Sequence, residues 1–92
     1  MDTLTQSQFQ AAFDHGAVKG VSIEPVGAQF AVKFLTLKGE AMLVVAGRAE
    51  PRLFSTVDSA VRLLHKLGVR RIMLDRLERW HPGQAALAAP KD

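Results

Sequence analysis

The spacing of apolar residues divides the chain into two helices and a run of strands. Phe9, Ala12 and Phe13 recur at helical spacing, and Thr5-Gln6-Ser7-Gln8 ahead of them has capping-box form. The Thr5 hydroxyl is expected to accept from the Gln8 amide while the Gln8 side chain reaches back. Leu4 and Phe9 flank the cap at staple positions, and Gly16 supplies a stop. A helix this short persists only by docking.

Three strand-like runs follow. Val21-Ser22-Ile23-Glu24 alternates with period two and ends at Pro25, which argues for an edge position. Gly27-Ala28 offers a turn. Gln29 to Leu37 then sets Phe30, Val32 and Phe34 on one face and Ala31, Lys33 and Leu35 on the other. Lys38-Gly39-Glu40 is a hairpin signal, and Ala41 to Ala46 reads as an apolar strand. Tight turns between the three predict an antiparallel meander.

Gly47 to Arg52 breaks the pattern and reads as a loop, and Leu53-Phe54 fits a short extended segment. Ser55 is the expected N-cap of a second helix, with Asp58 near its positive end. Val57, Ala60, Val61, Leu64 and Leu67 form its apolar face, with Arg62 and Lys66 opposite. Gly68 is the expected left-handed residue at its end, and a Schellman motif would set Val69 against Leu64. Arg71-Ile72-Met73-Leu74-Asp75 reads as a fourth strand. Arg76 to Trp80 fits either a strand extension or a helical turn.

The predicted order is therefore α-β-β-β-α-β. It implies an α+β two-layer sandwich, with a mainly antiparallel sheet and both helices on one face. One domain is expected over residues 1–80. From His81 the chain turns to Pro, Gly, Ala and Gln, and 81–92 reads as a flexible C-terminal tail.

Composition narrows the chemistry. Among 92 residues there is no cysteine, which rules out disulfides, thiol catalysis and thiolate metal sites. The hydrophobic share of 48% is too high for a disordered chain. The opening Met1-Asp2-Thr3-Leu4-Thr5-Gln6 lacks a basic flank and an apolar stretch, and no run approaches membrane-spanning length. A cytoplasmic protein without membrane contact is expected.

The formal charge of +3 is a mild bias. Its distribution says more. Arg62, Lys66, Arg70, Arg71, Arg76 and Arg79 crowd the last third, beside the single tryptophan, Trp80. These seven residues form the candidate interaction surface. Arginine and tryptophan concentrate in binding hot spots, and the arginines are also suited to phosphates. Trp80 would otherwise fold back to cap the small core. Neither a recognition-helix pattern nor paired strand aromatics signals base reading. An unpaired edge, at Val21 to Glu24 or at Leu53-Phe54, would allow two copies to join.

No catalytic constellation emerges. His15, His65 and His81 are scattered, and the first two precede helix stops, where the dipole favours an imidazole. Ser55, Ser59, Asp58 and His65 lie on one helix, where a nucleophile, base and orienter cannot converge. Glu24, Glu40 and Glu50 have no pairing that spacing supports. No cofactor, metal or small-molecule substrate is expected.

The stretch from Pro51 through Leu64, with Leu67-Gly68-Val69 and Arg71-Ile72-Met73-Leu74-Asp75, resembles small ParC-type plasmid partition-associated proteins. That family is unrelated to the topoisomerase subunit of the same name. The meander from Val21 to Ala46 is similar in length and layout. The resemblance implies a non-enzymatic accessory of plasmid or mobile-element maintenance, beside a partition ATPase and a DNA-binding partner. It supplies no catalytic residues. Two functions follow as expectations: an interaction module working through protein contacts, including a homodimer, or a weak nucleic-acid binder using the basic C-terminal surface.

Overall fold

A computed structural model describes residues 2–48 and 50–80. Its first strand, β1 (Asp2–Leu4), runs directly into the capped helix α1 (Gln6–Asp14). The capping box forms as its sequence demands. Thr5 Oγ1 accepts from the Gln8 amide at 3.3 Å, and the Thr5 amide donates to Gln8 Oε1 at 2.9 Å. Gly16, at a φ of 76°, lets the chain leave the helix.

The meander follows as β2 (Val18–Val26), β3 (Gln29–Thr36) and β4 (Gly39–Leu43), all antiparallel neighbours. Gly27 at a φ of 66° opens a two-residue turn that closes Val26 against Gln29. Then come β5 (Leu53–Phe54), helix α2 (Val57–Lys66), β6 (Met73–Leu74) and a 3-10 turn over Leu77–Arg79. The spatial order is β1-β4-β3-β2-β6, with β5 on β3.

The sheet is mixed: β2–β3, β3–β4 and β3–β5 are antiparallel as expected, but β1 pairs β4 in parallel and β6 pairs β2 in parallel. The order also gains β1 and β5. Both changes have one origin. Each helix is the crossover of a β-α-β unit, from β1 to β2 and from β5 to β6, between strands pointing the same way. Both crossovers travel in the same direction across the sheet. Crossovers of the usual right hand therefore put both helices on one face and leave the other bare.

On the covered face Phe9, Val21, Ile23, Phe30, Val32, Phe34, Leu43, Ala60 and Leu64 form one core. The Phe9 and Phe34 rings stack with centroids 4.2 Å apart. Helix α2 ends in the expected Schellman motif: Val69 N donates to Leu64 O and Gly68 N to His65 O, both at 3.0 Å.

Several boundaries differ from expectation. The N-cap of α2 is Thr56 rather than Ser55, with Thr56 Oγ1 accepting from the Ser59 amide at 3.1 Å. Phe54 is held in the sheet by Phe30, so Ser55 is used to leave the sheet before the helix can begin. Strand β4 stops at Leu43 instead of Ala46. Val44 turns out to meet Pro51, and β5 resumes the place beside β3. Arg52, just ahead of β5, is fastened to α1 by donating to Gln6 Oε1 at 2.9 Å.

Pro25 does not mark an edge strand, since β2 lies between β3 and β6. Asp75 N donates to Ile23 O, so Ile23 and Pro25 turn their backbone groups toward β6. Strand β6 ends opposite Ile23, and Pro25 sits beyond it, where no ladder donor is needed. The fourth strand is also shorter than 71–75, because Arg76 takes a left-handed φ of 57° and bends the chain into the 3-10 turn. Arg76 to Trp80 is thus a helical turn. The tail 81–92, His81 included, lies outside the described residues.

Candidate functional site

The bare face of the sheet carries a charged centre. Lys33 on β3 stands diagonal to Glu24 on β2 and to Glu40 on β4, because the two hairpin registers set Glu24 opposite Ala31 and Glu40 opposite Leu35. Lys33 Nζ lies 3.1 Å from Glu24 Oε1 and 3.7 Å from Glu40 Oε2. Arg76 Nε approaches Glu24 Oε1 to 3.7 Å. The Lys33 and Glu24 side chains are only 9% and 14% exposed, although no helix lies over them. Glu24 Oε1 is buried without a well-formed hydrogen bond, so two cations rather than a directed donor satisfy its charge.

Around this centre the face is apolar at its margins. Leu35 and Met73 are 51% and 64% exposed, and Leu53 is exposed at the β5 side. Gly20, Ser22, Lys33, Leu35, Glu40, Met73 and Asp75 line a shallow cleft of about 180 Å³ on this face. Exposed apolar side chains thus stand beside a charge-paired centre, the reverse of the apolar core within a polar rim that interfaces usually show.

The candidate residues named from the sequence are placed in four ways. Arg70 and Arg71, at the corner between α2 and β6, line a groove of about 230 Å³ with Lys19, over Phe13, Val18 and Val69. Arg62 pairs with Asp58 at 2.8 Å within α2, and Arg76 is drawn to Glu24. Lys66 and Arg79 are exposed. Trp80 folds back with its ring 5.7 Å from Phe30 yet stays 43% exposed.

Sequence reasoning missed the Glu24–Lys33–Glu40 centre. The signal was present. Closing hairpins at Gly27-Ala28 and at Leu37-Lys38 brings these three charges onto one face, once both registers are counted from the turns. Lys19 was missed because it lies far in sequence from the arginines it joins.

Among the described residues, no three or more His, Cys, Asp or Glu side chains gather as metal ligands would. No described helix is long and apolar enough to cross a membrane. His15 Nδ1 lies 2.7 Å from Ala11 O, inside its own helix end. Comparison with known protein families, with curated proteins and with solved structures finds no match to this chain.

Proposed function

We propose that the protein is a non-enzymatic interaction module that acts through protein contacts on its bare sheet face. The observation that carries this reading is the exposure of Leu35, Leu53 and Met73 beside the charge-paired centre of Glu24, Lys33, Glu40 and Arg76. Exposed apolar margins gain by being covered, and with Arg76 beside Glu24 the charged centre sets two cations against two acids. The setting proposed, from the resemblance of Pro51 to Leu64, Leu67 to Val69, Arg71 to Asp75 and the meander to ParC-type partition-associated proteins, is an accessory role in plasmid or mobile-element partition.

A second reading has its own observation. Lys19, Arg70 and Arg71 line one groove whose other lining residues are uncharged, and none of the three pairs with an acid among the described residues. That groove suits a phosphate backbone, with Arg62, Lys66, Arg76 and Arg79 as supporting cations.

Amide-resolved NMR separates the two. The chain is followed over a concentration series, then with a plasmid partition ATPase, then with duplex DNA at low salt. Shift changes at Ser22, Lys33 and Met73 in either protein-only sample support the interaction module. Unchanged spectra in both protein samples overturn it. Changes at Lys19, Arg70 and Arg71 that need DNA and vanish at high salt establish the second reading instead.

A further inference from the structure

We infer that β6 is a self-complementary edge through which two copies of this chain pair antiparallel, with Met73 opposite Met73 of the second copy. This rests on the interaction-module reading and names its partner. Strand β6 is the last strand of the sheet on its side, and its outer edge has no neighbour among the described residues.

Backbone polarity restricts how a second copy can dock. Asp75 N donates to Ile23 O, so Met73 and Asp75 turn their backbone groups inward to β2. Ile72 and Leu74 then turn theirs outward. An antiparallel partner can bond only where outward-facing residues meet outward-facing residues. A two-fold axis at Met73 meets that condition, because Ile72 falls opposite Leu74 of the other copy, and Leu74 opposite Ile72. An axis between Met73 and Leu74 would set an inward residue against an outward one. An axis at Leu74 needs Arg76 to continue the strand, and its φ of 57° prevents this.

Charge selects the same register. With Met73 on the axis, Arg71 of each copy falls opposite Asp75 of the other. Neither Arg71 nor Asp75 has an ion-pair partner among the described residues. An axis at Ile72 would instead set Arg71 against Met73 and leave Asp75 unmatched. The five residues Arg71-Ile72-Met73-Leu74-Asp75 therefore read as their own complement when reversed: cation against anion, apolar against apolar, methionine at the centre.

Side-chain exposure fits this placement. Met73 is 64% and Leu74 46% exposed, an open apolar pair on a two-residue edge strand that carries no bulge or proline. Asp75 and Met73 line the same cleft as Lys33 and Glu40, so the paired edge would join two bare faces into one continuous surface.

The chain has no cysteine, which makes a single introduced thiol diagnostic. A non-hydrogen-bonded pair at the axis holds its Cα atoms about 4.5 Å apart, within disulfide range. Under mild oxidation Met73→Cys should form a disulfide-linked dimer far faster than Leu37→Cys, an exposed residue of the distant β3–β4 turn. Charge reversal supplies the second arm. Arg71→Asp and Asp75→Arg should each weaken dimerisation about tenfold, and the double variant should restore it. Circular dichroism checks that each variant is folded. Crosslinking of M73C no faster than L37C, or a double variant no better than the singles, overturns this register. If the wild-type chain still binds itself or a partition ATPase in that case, the interaction-module reading stands and only the β6 pairing falls. A chain that binds neither removes both.

Discussion

Lys33 Nζ sits 3.1 Å from Glu24 Oε1 on a sheet face that no helix covers, and both side chains are almost withdrawn from water. Topology exposes the face and side-chain packing buries the pair. Two same-handed crossovers place α1 and α2 together, while the residues flanking β3 close over its central lysine.

Removing one partner of that pair is therefore expected to be costly. Lys33→Met leaves Glu24 buried with only the more distant Arg76 guanidinium, and should destabilise the fold by about 1–3 kcal/mol in urea denaturation. Adding Glu24→Gln to Lys33→Met should recover part of that loss, because the stranded charge is removed. A double variant as unstable as the sum of the singles would show that the two groups act independently.

The cap of α2 distinguishes two adjacent hydroxyl residues. Thr56→Ala removes the acceptor for the Ser59 amide and should cost about 1 kcal/mol, whereas Ser55→Ala should leave the denaturation midpoint nearly unchanged. The reverse ranking would mean that α2 starts one residue earlier.

Gly68 is constrained twice. Its φ is 100°, and a Cβ there would lie 3.2 Å from Phe13 Cε2, at the contact between α1 and the end of α2. Gly68→Ala should destabilise by about 1 kcal/mol or more, while Gly68→Asn, better tolerated at such a φ, should differ mainly through the contact with Phe13. Thermal melts of the two variants measure the split.

Phe9 is the α1 residue that holds the helix to the sheet, fully buried and stacked on Phe34. Phe9→Ala should cost about 3–5 kcal/mol, a large share of the stability of so small a domain. Near-native stability on denaturation would contradict the docking described for α1.

Local chemistry made much of this fold legible in advance. The Thr5 capping box, the Gly16 and Gly68 stops and the two hairpins each depend on residues within a few positions of one another. What stayed hidden depends on distant partners. Strand β1 is three residues long and exists because β4 offers it a parallel edge. The early end of β4 at Leu43 is invisible in a run as apolar as Ala41 to Ala46, since apolar content does not reveal where β5 will displace β4. Pro25 sits in a central strand against the expectation from its residue type, because its permission comes from the early end of β6, a property of another strand. At the candidate site, the arginine crowding was readable, but Lys19 joins Arg70 and Arg71 only through the fold. The Glu24–Lys33–Glu40 centre needed registers rather than residue types.

The central claim is that this chain acts through protein contacts, and sedimentation velocity tests it most directly. The chain is run alone over a concentration series, then with a partition ATPase, and then with duplex DNA, each at low and at high salt. The account predicts a mass that rises with protein concentration, persists at high salt and is indifferent to DNA. A monomer at every concentration that also gains no mass with a partition ATPase, and gains mass only with DNA at low salt, would contradict it.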